Sequence, residues 1–152
     1  MTEIVEYKEE LKEHIRILNY EWLQKYFKVE PNDVISLADP KGQIIDKGGF
    51  IFYAAYNDEI VGVVALLKIN GETFELAKMA VTEKYQGLKL GKLLIEHCIS
   101  FAKQHHIKAL VLYSNRQLGP AIHLYEKYGF YEIPLEPGHY ERANIKMEKI
   151  IA

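Results

Sequence analysis

The hydrophobic residues of this chain change their period twice, and that pattern restricts the folds open to it. Leu11, Ile15, Leu18, Trp22 and Tyr26 recur at helical spacing and make one apolar stripe. The stretches 50–56, 60–69 and 73–81 are instead rich in β-branched, aromatic and aliphatic residues, as strands are. Helical spacing returns at Leu90, Leu94, Cys98 and Phe101, with Lys89, Lys92, Glu96 and Lys103 opposite. Neither an all-helical nor an all-strand fold accommodates both periods.

The boundaries follow from local chemistry. Residues 4–7 alternate and read as a short first strand. Pro31 suits the first turn of a second helix running to Ala38, and Asp39-Pro40-Lys41-Gly42 ends it. A loop then extends through Gly48-Gly49. The middle strands are separated by Asn57-Asp58 and Asn70-Gly71, the second predicting a hairpin turn with both central residues at φ > 0. Residues 109–113 read as a buried strand. Pro120 opens a helix with Ala121, Leu124, Tyr125 and Tyr128 on one side, and Gly129 stops it. Residues 130–133 and 144–151 read as the last strands, around a 134–138 turn. The order βααβββαβαββ predicts one mixed α/β domain over 1–152: a central, mostly antiparallel sheet flanked by helices, with one parallel pair.

Lys and Arg total 19 against 21 Asp and Glu, a net charge of −2 with His neutral. Such a balance gives no general attraction to nucleic acid or to an anionic membrane. Cys98 is the single cysteine, so no internal disulfide or cysteine zinc site forms. The first residues are too acidic for a signal peptide, and no apolar run approaches the roughly 18 residues of a membrane span. The expectation is a cytoplasmic protein with no metal, nucleic-acid or membrane partner.

The chemistry concentrates in Glu75-Leu-Ala-Lys-Met-Ala-Val81 and the segment after it, Gln86-Gly87-Leu88-Lys89-Leu90-Gly91-Lys92. A strand leads through a loop containing glycine into an amphipathic helix. Such a loop turns successive N–H groups toward one point at the positive end of the helix dipole, which suits an anion. The spacing matches neither the dinucleotide fingerprint nor the nucleoside-triphosphate loop. A plain strand-to-helix turn is the competing reading.

Val81 through Gly91 resembles the acyl-CoA pyrophosphate loop of the Gcn5-related N-acetyltransferase (GNAT) family, Gln/Arg-x-x-Gly-x-Gly/Ala. Gln86 and Gly91 match its ends. Lys89 replaces the middle glycine, which a loop of backbone donors tolerates if its φ stays negative. Independently, Ala121-Ile-His-Leu-Tyr125-Glu-Lys-Tyr-Gly129-Phe130 is similar to the family's late Ala-x-x-Leu-Tyr-x-x-x-Gly-Phe signature. The order of elements also agrees, so the resemblance covers nearly the whole chain.

The resemblance implies roles for particular residues. Met79, Ala80 and Val81 would offer backbone groups to the pantetheine arm, and Gln86, Gly87, Leu88, Lys89, Leu90, Gly91 and Lys92 would hold the pyrophosphate. Tyr125 would protonate the leaving thiolate, against the alternative that it only packs in its apolar stripe. Glu75, six residues before Val81, would take the amine proton, or else pair with a lysine or line the cleft. Leu118 stands where relatives often carry a CoA-contacting asparagine, with Asn115 nearby. Tyr140 and Arg142 would lie at the acceptor end, Arg142 forking onto an acceptor carboxylate or remaining a surface arginine. His97 and His123 read as packing or surface residues, and Cys98 as a small buried hydrophobe.

The function these features imply is transfer of an acetyl group from acetyl-CoA to a primary amine by direct attack in a ternary complex. A catalytically inactive acyl-CoA sensor and a protein-interaction domain are the rival classes. The acceptor could be a small amine, a protein N-terminus or a lysine, and the protein a monomer or homodimer.

Overall fold

In the computed structural model, which describes residues 2–151 apart from the side chains of 86–88, seven strands form one sheet in the order β1-β2-β3-β4-β5-β7-β6. They are β1 (Thr2–Glu6), β2 (Phe50–Tyr56), β3 (Glu59–Lys68), β4 (Thr73–Val81), β5 (Ala109–Ser114), β6 (Tyr131–Ile133) and β7 (Ile145–Ile150). The helices are α1 (Lys12–Tyr26), α2 (Pro31–Ala38), α3 (Leu90–Gln104) and α4 (Gly119–Lys127). Every neighbouring pair is antiparallel except β4 with β5, the parallel pair expected from the strand–helix–strand stretch. The last hairpin folds back so that β7, not β6, pairs with β5.

Alternation along the strands divides the core into two layers. Phe52, Val64, Leu66, Phe74 and Leu76 pack with α3, α4 and the buried Met147. Ile51, Tyr53, Val63, Ala65 and Ala80 face the other way, against Ile15 and Leu18 of α1 and Leu37 of α2. Burying both sheet faces is the main source of stability in such a layered domain. Among the described residues no helix is long and apolar enough to cross a membrane.

Several local expectations change. The buried stripe of α1 runs through Ile15, Leu18, Asn19 and Leu23, while Tyr26 is exposed and leans on Trp22, 5.8 Å between centroids. The 39–49 loop contains a π-helical turn, Lys41–Ile45, because Ile44 is pulled into the core. The two central φ > 0 positions belong to Asn57 (49°) and Asp58 (67°). At Asn70-Gly71 neither residue is left-handed; the Asn70 side chain closes that turn, accepting the Glu72 and Thr73 N–H groups at 2.8 and 2.9 Å.

Candidate active site

The site begins where two parallel strands part. β4 and β5 pair only at Thr73–Ala109, Phe74–Leu110 and Glu75–Val111, after which β4 continues to Val81 paired with β3 alone. The split coincides with a β-bulge: Lys78 and Met79 together oppose Val64, between the pairs Ala65–Ala77 and Val63–Ala80. Lys78 is left-handed at φ 56°, a conformation that costs a non-glycine residue about 1–3 kcal/mol. Side chains from the helices impose it. The Lys78 carbonyl accepts a hydrogen bond from Asn19 Nδ2 at 3.1 Å, and its ammonium pairs with Asp33 Oδ1 at 3.1 Å.

A cleft of about 860 Å³, open to solvent, occupies the split. Glu75, Met79, Tyr125, Tyr140 and Arg142, all anticipated from sequence, line it together, as do Asn115 and Leu118. Ala80 and Val81 remain in the strand, paired with Val63 and Gly62, with the Ala80 side chain buried in the layer beneath α1 and α2.

Glu75 projects to the α1–α2 face by alternation with Phe74 and Leu76, and is 3% exposed. It does not pair with a lysine. Oε1 meets His139 Nε2 at 3.0 Å, and Oε2 accepts the Tyr140 hydroxyl at 2.9 Å. Each carboxylate oxygen keeps further acceptor capacity for a substrate amine. Burial, then the Glu75 charge and hydrogen bond, push the Tyr140 pKa upward, so that hydroxyl stays a donor. The half-exposed His139 ring stacks on Tyr113, centroids 4.1 Å apart. Sequence reasoning missed His139. Its signal was slight: one histidine after Pro137-Gly138 in a turn, 64 positions along the chain from its carboxylate partner.

Tyr125 reaches the cleft from the other layer, on α4 among the residues packed with α3. Burial pushes its pKa up to about 12, and among the described residues no protein group hydrogen-bonds its hydroxyl. It is therefore a protonated donor on a residue that lines the cleft. The packing alternative is also part of the geometry, because the ring meets Phe130 edge-on at 6.0 Å.

The N-terminus of α3 lies at the end of the loop that follows β4. A Cβ built on Gly91 meets no atom within 4 Å, so this first turn presents an open backbone face. Lys89, which caps the helix, is left-handed at φ 57°, contrary to the negative φ expected of it. It takes the conformation for which the motif's glycine is suited, because the chain must reverse there to enter α3. Beyond their backbone, Gln86, Gly87 and Leu88 lie outside the described residues. Leu90 is buried in the core, at 1% exposure, so only its backbone can serve a ligand.

At the other end of the cleft Arg142 is committed internally. Its guanidinium forks onto both oxygens of Asp33, at 2.8 and 3.1 Å, and meets Glu30 at 2.8 Å. Glu30 also accepts the Glu141 and Arg142 N–H groups, at 3.0 and 3.2 Å. The fork expected to hold an acceptor carboxylate is thus filled, and Arg142 is not a surface arginine. Burial alone would raise the Asp33 pKa; the Arg142 hydrogen bonds, the Glu30 N–H and the Lys78 and Arg142 charges together hold it below its ordinary value. Asn115 is likewise spent on structure, donating to the Arg142 carbonyl at 2.8 Å.

The remaining candidates are structural. Cys98 is fully buried, its thiol pushed up to about 12 by burial. His97 packs on Phe52 at 4.4 Å, with its pKa lowered by burial, and His123 is exposed.

The bulged strand, left-handed at Lys78, thus splays from its parallel neighbour beside the N-terminus of α3. The model of the Acetyltransferase (GNAT) family matches residues 11–130, and the chain belongs to that family. Over 101 residues it is 33% identical to the uncharacterized N-acetyltransferase YvbK of Bacillus subtilis, covering 64% of this chain and 65% of that protein. Over 66 residues it is 36% identical to an uncharacterized N-acetyltransferase of Dictyostelium discoideum, covering 43% of this chain and 30% of the relative. The chain therefore spans less than two thirds of either relative's length. A GNAT-family acetyltransferase structure from Staphylococcus aureus Mu50 superposes with a TM-score of 0.88 over 100% of both chains, at 24% identity. A family acetyltransferase from Elizabethkingia anophelis, solved with acetyl-CoA bound, gives a TM-score of 0.64 at 25% identity, covering 98% of this chain and 97% of that one.

Proposed function

We propose that this protein transfers the acetyl group of acetyl-CoA to a primary amine by direct attack within a ternary complex. The supporting observation is that Glu75 and Tyr125 line one cleft from opposite layers of the sheet, at the place where β4 leaves β5. Family membership and an acetyl-CoA-bound relative point the same way.

The backbone of Met79, Ala80 and Val81, on the open edge of β4, receives the pantetheine arm as an added strand would be received. The loop through Gln86, Gly87, Leu88, Lys89, Leu90, Gly91 and Lys92 holds the pyrophosphate on backbone N–H groups, helped by the α3 dipole and two lysine charges. The amine loses a proton to Glu75, directly or through water, and its nitrogen attacks the thioester carbon. The new C–N bond forms as the C–S bond breaks, and the electron pair leaves on sulfur. Tyr125 donates toward that sulfur. With a pKa near 12 it holds its proton more tightly than a thiol of ordinary pKa about 8.5, so hydrogen bonding to the developing thiolate is its main contribution. Holding both substrates in one cleft supplies much of the remaining rate. Tyr140 positions Glu75, and Arg142 fixes the acceptor wall by its clamp on α2.

Acetyl-CoA binding is expected to stabilise the fold. At about 100 times its Kd a ligand specific for the native state adds about 2.7 kcal/mol, or roughly 5–10 °C in Tm for a domain this size. Gly91→Val places a side chain over the open first turn of α3 and should abolish that shift while the apoprotein still unfolds cooperatively. If Gly91→Val gives the wild-type shift, the pyrophosphate loop is misplaced.

Glu75→Gln should fold and bind acetyl-CoA yet turn over more slowly at neutral pH, recovering in part at alkaline pH as more amine is already deprotonated. The comparison needs two acceptors of different amine pKa, because the acceptor's own titration mimics this limb. A deficit identical for both at every pH makes Glu75 a positioning residue. No deficit at all makes it a bystander.

A further inference from the structure

The α1–α2 side of the cleft has a chemistry that selects its amine. One wall is the end of α1 and its exit, with Trp22, Leu23 and Phe27; the Trp22 and Phe27 rings are 5.6 Å apart. The other is Tyr113 and Tyr140, also 5.6 Å apart, with the Tyr140 hydroxyl donating to the Glu75 carboxylate, which lines the same cleft. Two cations line the cleft among the described residues, Lys78 and Arg142, and both are occupied. The Lys78 ammonium, 6% exposed, pairs with Asp33, and Arg142 is forked onto Asp33 and Glu30. Two carboxylates therefore balance two cations, leaving Glu75 over. Its partners are a hydroxyl and an imidazole, not a lysine or arginine.

Resting on the acetyltransferase reading above, we infer that the acceptor is a small primary amine carried on an aromatic or other apolar body, with no carboxylate beside the amine. The amine end meets Glu75, and its cationic form is also attracted to the aromatic faces. The apolar body replaces water against Trp22, Leu23 and Phe27. A carboxylate next to the amine would be desolvated beside Glu75 with no free cation to receive it, so free amino acids are rejected by an unpaired charge rather than by size. Long polyamines gain little, because one acidic group faces the cleft and the walls are aromatic.

The test measures free CoA thiol released from saturating acetyl-CoA with 2-phenylethylamine, phenylalanine, phenylalanine amide and spermidine. The first two share a body and differ by the carboxylate. The expected result is a kcat/KM for 2-phenylethylamine at least about 100-fold above that for phenylalanine, with spermidine also far below. Equal or better use of phenylalanine or spermidine overturns the inference. Phenylalanine amide, which also lacks the carboxylate, should be used far better than phenylalanine; if it is rejected as phenylalanine is, the carboxylate charge is not what the cleft refuses and the inference is overturned. If acetyl-CoA raises Tm but none of the four is acetylated, the acceptor class is wrong while the cofactor site stands. If acetyl-CoA does not bind, the acetyltransferase reading itself falls.

Discussion

Tyr125→Phe is expected to lower kcat roughly 10- to 1,000-fold while the acetyl-CoA shift in Tm stays at the wild-type value. The substitution retains the ring, its edge contact with Phe130 and its burial, and removes only the hydroxyl. Loss in kcat without loss in cofactor affinity marks an interaction made mainly in the transition state. A variant with wild-type turnover would assign Tyr125 to packing alone, and the sulfur would need another donor.

The largest effect on stability is expected at Asp33, whose side chain is 1% exposed. Asp33→Ala strands the buried Lys78 and leaves Arg142 with Glu30 alone, and should cost about 3–5 kcal/mol in chemical denaturation. It also removes the partner of the Lys78 ammonium at the bulge and leaves only the Asn19 tether on its carbonyl, so residual activity should fall with stability. The surface pair Arg116–Glu132 is more than half exposed on both sides, and Glu132→Ala should cost below about 1 kcal/mol. Because the folded Asp33 pKa is depressed, its contribution is fully present above the ordinary carboxylate value of about 3.9 and is lost as pH falls through the lower folded value. Wild type should therefore lose stability steeply in that acid window, and Asp33→Asn should show less of that slope. A cost at Asp33 no greater than at Glu132 would mean that the cluster does not hold α2 to the acceptor wall.

What could be read from the sequence was whatever local spacing encodes. Apolar period separated helices from strands, and Pro31, Pro120 and Gly129 marked helix ends within a residue or two. Left-handed positions were harder. Asn70-Gly71 carries the stronger dipeptide signal, yet the paired positive φ values fall at Asn57-Asp58, since an asparagine side chain can close a turn by itself. Lys89 and Lys78 are left-handed because the chain around them dictates it, which no propensity of lysine announces. The Glu30–Asp33–Lys78–Arg142 cluster joins residues up to 112 apart, so Arg142 looked available to substrate until the partners of its guanidinium were seen. His139 was hidden for the same reason.

The most direct test of the central claim is a stoichiometry. The protein is incubated with acetyl-CoA and an amine, and free CoA thiol and acetylated amine are measured together. Direct transfer gives equal amounts of the two, absolute dependence on the amine, and no acetyl group left on the protein, because no nucleophilic side chain intervenes. A stable acetylated protein, or thiol release that ignores the amine, would contradict direct transfer. Acetyl-CoA binding with no thiol released for any amine would make the chain a sensor of acyl-CoA instead of a catalyst.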